Sequence, residues 1–517
     1  MDGIFCRQIV NRTIVVCVTI LAIGLSTASG VLHAIEVVSP DGQVILSFEV
    51  KDFEGARSCP VYGVSYKGKA IVAESRLGLE LQEAPLKEGL QIIKQSESRQ
   101  DTQWKPVYGE RSTIRDHYNQ VIVELKEKEA PHRLLQLTLR AYDQGAAFCY
   151  TIPKQEAMDR VTISKETTEF RFLADHTAWA VYTAQGNYEK VTLSQIRPGC
   201  ERPLTIQPAD SIYAALAEAR LVDYARMKFA PLAGRANSLV SELSSSVTAP
   251  LPLTTPWRVV MLADSPGRLL ENNDIILNLN EPCAIPDTSW IKPGKVIREV
   301  TLSTIGGKAC VDFAAKHNLQ YVEFDTGWYG PENSADPRVV NVNPNRSQGP
   351  LDLQEVIRYA SERGIGILLY VGHGALERQL DDILPVYRQW GVKGIKYGFV
   401  NVGSQQWTSW LHEAIRKTDR YQLMVDVHDE YRPTGYSRTY PNLLTQEGIR
   451  GDEESPVNSL TLTILFTRML AGAADNTICY YDARVDRNAS RAYQLAKAVC
   501  FYSPFQFLYW YDRPYIS

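Results

Sequence analysis

Over residues 35–254 apolar and polar positions alternate in short runs, QVILSFEV, YNQVIVELK, RLLQLTLRAY and GAAFCYTI, broken by the turn signals SPDG, YKGK and YDQG. A period of two puts every second side chain on one face of an extended chain, so this half predicts strands, and their number predicts an antiparallel β-sandwich. Helical periodicity is nearly absent, IYAALAEARLVDYARM being the exception. Residues 255–294 continue a stretch rich in Ser, Thr and Pro (SSSVTAPLPLTTPW, then LNEPCAIPDTSWIKPGK) and read as an interdomain linker.

From residue 295 to 517 the pattern changes. Short apolar runs, YVEFDTGW, GILLYV, GIKYGFV, QLMVDV, NLLTQE, TICYY and QFLYW, alternate with helical candidates at 307–318, 351–364, 375–391, 404–420, 456–474 and 489–503. With a weaker run at 298–302 this fits an eight-stranded β/α barrel, and a doubly wound open sheet is the alternative. The barrel accounts better for the polar residues that follow nearly every run, because the loops at the strand ends would form one ring: Asp325 and Trp328, His373, Asn401, His428 and Asp429, Glu447, Asp482. No Gly-rich phosphate loop precedes a helix, so nucleotide binding has no motif. The chain stops at YWYDRPYIS, directly after the eighth run and before any closing helix, and is expected to be incomplete at its C-terminal end.

Composition adds bounds. A chain of 517 residues, 44% hydrophobic, with net charge -4, has core enough for more than one domain and no basic surplus for nucleic acid. Its 27 Tyr and 9 Trp offer flat faces with polar edges, which suit sugar rings, although packing explains most of them. Residues 1–34 carry Arg7 and Arg12, the apolar stretch TIVVCVTILAIGL and then small residues, the layout of a secretory signal peptide cleaved between Ala28 and Ala34. The product is therefore expected to be exported, periplasmic or secreted. The seven cysteines beyond that segment are scattered and lack CxxC spacing, which argues against a disulfide framework and a zinc site.

Candidate chemistry is concentrated in residues 421–454, YQLMVDVHDEYRPTGYSRTYPNLLTQEGIRGDEE. Carboxylates there stand where short apolar segments end in Pro/Gly turns. Two acids flanking a glycosidic bond suffice for sugar hydrolysis, one protonating the leaving oxygen and the other activating water or attacking carbon. Three or more carboxylates with carbonyl and water ligands would make a calcium site. Ion pairs with Arg432, Arg438 and Arg450 are the structural reading of any single one. Alternation puts Asp426 and His428 on one strand face, with Asp429 and Glu430 in the loop beyond.

The run HDEYRPTGYSRTYPNLLTQEGIRGDEE resembles the HExxRPTGxxRTYPNLxxxExxRGxE stretch of glycoside hydrolase family 97, a family of exported α-glucosidases and α-galactosidases. Further matching segments run along the chain in order: SPDGQVILSFEV, SRLGLELQE, WKPVYGERSTIRDHYN, AEARLVDYARM and FTRMLAGAADNT. The resemblance implies an N-terminal β-super-sandwich, a catalytic (β/α)8 barrel and a small C-terminal β domain, the last absent here. It also implies a calcium ion (Ca2+) and hydrolysis of terminal α-linked glucose or galactose from oligosaccharides. Carried over by position, Glu453 is the general acid. Asp429 is the general base and a calcium ligand. Glu447 and Glu189, with Glu453, complete the calcium set. Asp325 and Trp328 in EFDTGW fall where the sugar binds, and His373 and His428 join them as substrate contacts.

Two departures bear on mechanism. Retaining members carry an Asp nucleophile in a KVDF-like motif where this chain has Lys396, Tyr397, Gly398 and Phe399. Inverting members carry a second basic Glu after the third strand, where VGHGALE offers His373, to orient or deprotonate water or merely to bond its neighbours. The expectation is a calcium-dependent inverting exo-α-glycosidase, and the alternative is a carbohydrate-binding relative with weak or no catalysis.

Overall fold

A computed structural model describes residues 34–156 and 158–513. The expected signal segment lies outside them apart from Ala34.

The alternating half folds as expected, into antiparallel sheets of seven and ten strands with a third of three. In the opening hairpin Val44–Phe53 pairs with Ala56–Tyr66, and Val44, Leu46 and Phe48 turn inward with at most 1% exposure. They meet Val123, Leu137 and Phe148 of the larger sheet in one core, the burial that outweighs the entropy of ordering so many strands.

Two expectations fail here. The linker does not begin at residue 255, because Trp257–Ala263 is a fully buried strand inside the larger sheet, between Ile212–Ala219 and Gly145–Ile152. The connection proper starts after Ala263 and contains two short helices, Pro266–Glu271 and Asp274–Asn278, the first capped by Ser265 accepting from the Arg268 amide. The helix-like stretch IYAALAEARL is the strand Ile212–Ala219. Its alanines pack beneath those two helices, with Ala215, Ala217 and Ala219 against Leu269, Ile275 and Ile276. Covered on both faces, the strand has no reason to alternate, and its propensity was overridden by packing.

The second half is a nearly closed parallel barrel. Its ladder runs through Gly294–Glu299, Tyr321–Phe324, Gly366–Gly372, Gly394–Gly398, Met424–Val427 and Leu443–Gln446, and Phe505–Phe507 pairs back onto the first strand. The TICYY run makes no ladder, only an isolated bridge between Ile478 and Leu508 and a bond from the Asp475 amide to Gln446 O at 3.2 Å. Side chains have taken its amides instead: Cys479 N donates to Asp452, and Tyr480 N and Tyr481 N donate to Asp512. Helices such as His373–Trp390 and Gln405–Arg420 cover the outside with one apolar face each. Among the described residues no helix is long and apolar enough to cross a membrane.

Sandwich and barrel are joined by buried polar contacts. Arg432, 1% exposed, donates to the carbonyls of Arg202 (3.0 Å), Ala184 (3.2 Å) and Thr183 (3.4 Å) and to the Tyr188 hydroxyl (3.2 Å). Tyr108 donates to Leu443 O at 2.7 Å. Sandwich residues 183–188 are thereby held beside the barrel loops that carry the site.

Candidate active site

Parallel strands deliver their last residues to one rim of a barrel, and here that rim is lined with ionisable groups. Asp325 follows the second strand and Lys396 lies in the fourth. Asp426 and His428 end the fifth, and Glu447 follows the sixth. As alternation required, Asp426 and His428 share a face, 3.3 Å apart.

His428 is the hub. Its Nε2 lies 2.7 Å from Asp475 and its Nδ1 3.0 Å from Glu447, and its ring stacks on Trp510 at 6.2 Å. Burial works to lower its pKa, but Glu447 and Asp426 outweigh it and hold the imidazolium well above its ordinary range. Glu447 is pushed up to about 8 by burial, against the pull of His428. His428, assigned to substrate from the sequence, is instead 3% exposed with both ring nitrogens beside carboxylates. Asp475 had a signal in the sequence, a lone acid between GAA and the TICYY run, and its role emerges only from the contact.

A second group lies across the rim. Asp325 accepts from Lys396 at 2.8 Å and from the Thr326 amide at 2.7 Å, with Arg298 at 3.4 Å. Burial alone would raise the Asp325 pKa, yet Arg298 and Lys396 hold it far below the carboxylate range. Neighbouring Glu323, fully buried beside Asp325, is raised well above the usual value by burial. The ring of Trp510 lies 3.8 Å from Lys396 and 4.5 Å from Arg298, a cation–π seal at the floor of the site.

Above this floor opens a cavity of about 460 Å³ lined by Arg298, Asp325, Arg346, Arg484 and Tyr511 among others. Asp325 lines this cavity. Trp328 does not: it is fully buried, donates to Tyr370 O at 2.8 Å and packs on Tyr329 and Tyr387. His373 is half-buried and opens the helix after the third strand.

Glu453 sits in a short 3-10 turn, its amide bonded to Thr477 Oγ1 at 3.0 Å and its Oε1 accepting from Tyr511, a cavity-lining residue, at 2.9 Å. One position earlier, Asp452 is an anchor: Lys497, Gln494 and the Cys479 amide surround its carboxylate.

Cation-binding capacity lies at Asp429 and Glu447, whose ligand atoms lie within 4.8 Å of each other and of His428, which as an imidazolium has no lone pair to give. Asp429 Oδ2 is buried without a hydrogen-bond donor, the kind of oxygen that hard cations take, whereas Glu447 Oε2 faces His428 Nδ1 at 3.0 Å. The charge of Glu453 is felt at Glu447. Glu189 is not part of this group. It is exposed and paired with Arg197 at 2.9 Å, while Gln185, four residues earlier, donates to Glu447 Oε1 at 2.8 Å. No pattern in the sequence marked Gln185, because the contact crosses between domains.

A sandwich-backed β/α barrel whose rim carries Glu453, Asp429 and Glu447, with an ion-paired Asp325 at a polar cavity, has the make-up of a glycosidase. Comparison with known proteins agrees: the glycosyl-hydrolase 97 N-terminal family model matches residues 37–282 and the glycoside hydrolase 97 model residues 294–449. A retaining alpha-galactosidase of Bacteroides thetaiotaomicron is 26% identical, covering 91% of this chain and 78% of its own. A probable retaining alpha-galactosidase of Streptomyces bingchenggensis is 28% identical, covering 86% and 70%. The solved family 97 enzyme of Pseudoalteromonas sp. strain K8 in complex with acarbose superposes with a TM-score of 0.84 at 26% identity, covering 92% of this chain and 80% of that one. The chain belongs to glycoside hydrolase family 97 and is a glycoside hydrolase.

Proposed function

We propose that the enzyme releases terminal α-linked galactose or glucose from oligosaccharides by a single displacement with inversion, with calcium bound at Asp429 and Glu447. The α-galactosidase names of its relatives and the acarbose and panose complexes of the Pseudoalteromonas enzyme support the substrate class. The observation that carries the mechanism is at Gly398. A Cβ built there would lie 1.9 Å from Cε2 of Tyr370, so the space into which a fourth-strand nucleophile would project is filled by a tyrosine ring.

Glu453, hydrogen-bonded to the cavity-lining Tyr511, protonates the glycosidic oxygen as its bond to the anomeric carbon breaks. Asp429 directs water at the opposite face, and the water oxygen bonds to that carbon as the leaving group departs. Asp325, kept ionised by Lys396 and Arg298, accepts from sugar hydroxyls lying over the cavity floor. When bound, calcium supplies positive charge that offsets the repulsion among these carboxylates.

The test is the anomer formed first. With 4-nitrophenyl α-galactoside and α-glucoside, proton NMR in the opening minutes is expected to show β sugar, and Glu453→Gln to lower kcat by about 10²–10⁴-fold. An initial α product would replace inversion with a double displacement. Absence of turnover on either glycoside would favour a carbohydrate-binding role.

A further inference from the structure

One carboxylate at the rim has no part in the groups above. Glu332, in the loop after the second barrel strand, is half-buried and forms no ion pair among the described residues. Tyr370 donates to its Oε2 at 3.0 Å, and Tyr329 to its backbone carbonyl at 3.4 Å. Burial, with the nearby charges of Asp325 and Asp429, raises its pKa against the hydrogen bond from Tyr370 and the charge of Arg346. Its carboxyl thus lies at the rim, against the end of the third strand at Gly372 and bonded to the tyrosine that fills the space at Gly398.

Three glycines make room for it. A Cβ on Gly372 would come 3.3 Å from Cβ of Glu332, and one on Gly374 3.2 Å from Oδ1 of Asn333, so the end of the third strand is kept bare for this loop. At Gly398 the missing side chain admits the Tyr370 ring, whose hydroxyl then reaches Glu332. The other carboxylates of the rim are committed. Asp325 is bound to Lys396, and Asp426 and Asp475 to His428, while Glu447 and Asp429 share the cation-binding cluster. A general base must keep a lone pair available, and Glu332, with Arg346 acting on it only at a distance, has no cation in contact among the described residues.

We infer that Glu332 is a second carboxylate of the water site, accepting the proton that leaves water, with Tyr370 as its positioning residue. The assignment rests on the single-displacement reading above and adds a catalytic residue to it. As the water oxygen bonds to the anomeric carbon, the bond to the glycosidic oxygen breaks, that oxygen takes the proton of Glu453, and the water proton passes to Glu332. Asp429 holds the same water, its own charge shared with the cation cluster.

The experiment compares Glu332→Gln, Glu453→Gln and Tyr370→Phe in the full chain on a 4-nitrophenyl α-glycoside and the matching α-glycosyl fluoride. Fluoride needs no acid to leave but still needs a base at water. Glu332→Gln is expected to lower kcat by about 10²–10³-fold on both substrates with KM little changed, whereas Glu453→Gln recovers on the fluoride. Tyr370→Phe, which keeps the ring and loses only the hydroxyl, is expected to cost roughly 5–20-fold, the scale of one hydrogen bond. Glu332→Ala in sodium azide should form a β-glycosyl azide, a rescue that a merely structural residue would not show. Activity of Glu332→Gln within threefold of wild type, or a loss with a lowered melting temperature and no azide product, overturns the inference while leaving Glu453 in place. Undiminished activity of Glu453→Gln, or no wild-type turnover, overturns the reading beneath it.

Discussion

At the scale of single residues, the proposed inversion turns on a position without a side chain. Gly398 ends the fourth strand with its Cβ direction blocked by Tyr370, 3% exposed and hydrogen-bonded to Glu332. Gly398→Asp should not convert the enzyme to a double displacement. The inserted carbons must displace a ring packed in a barrel strand, and urea denaturation is expected to show a loss of about 1–3 kcal/mol. Stability equal to wild type together with an α-anomeric first product would show that the ring swings aside. The same scale explains where Trp328 and His428 point. Both follow barrel strands in the sequence, as active-site residues do, but Trp328 turns into the packing around Tyr387 and His428 into three carboxylates. Chain position indicates the rim, and the rotamer chooses between cavity and core.

Among the elements, the helix Gln405–Arg420 shows how an apolar face can carry a titratable group. His412 is fully buried on that face, its Nε2 3.0 Å from the Tyr431 hydroxyl, and burial pushes its pKa down to about 3. Because the folded value lies below the unfolded one of about 6.5, the unfolded chain binds the extra proton between those limits. The contribution is present above about pH 6.5 and is lost as pH falls toward 3. Between pH 7 and pH 5 this one group should remove about 2 kcal/mol of stability, and His412→Gln should lose that much less over the same interval in urea midpoints. Identical pH slopes for the two proteins would mean that His412 finds a way to be protonated in place. The strand Ile212–Ala219 makes the complementary point. Its alanine-rich sequence follows a helical pattern, and only the helices lying over it show why small residues were needed on a sheet.

For the whole molecule, the contact between sandwich and barrel is a structural and a functional joint. Arg432 spends its guanidinium on sandwich carbonyls, and Gln185 returns a bond to Glu447 at the cation-binding cluster. Arg432→Met would leave those buried acceptors unpaired, at a cost of about 3–5 kcal/mol, and calorimetry is expected to resolve sandwich and barrel melting as two transitions where the wild type shows one. A single unshifted transition would show that other contacts hold the joint. Removal of calcium by a chelator is expected to lower activity and melting temperature together, with both restored by added Ca2+, since Asp429 keeps a buried oxygen without a donor beside the Glu447 carboxylate. Full activity after exhaustive chelation would assign that oxygen to water.

The sequence by itself determined the two-part architecture, because periodicities of two and of strand plus helix are local and follow from where each side chain must be buried. It also determined the family, and it placed Asp325, Asp429 and Glu447 just past strand ends and Glu453 in the loop after the sixth strand, since parallel strands send their ends to one rim. What only the tertiary structure decided are relations between residues far apart in the chain: Asp475 and Glu447 on His428, Gln185 in place of Glu189, Tyr370 filling the room left by Gly398, and Glu332 brought in from a neighbouring loop. Each depends on which side chains meet once the barrel curls and the sandwich docks, and distances across a barrel leave no spacing in the chain from which to read them.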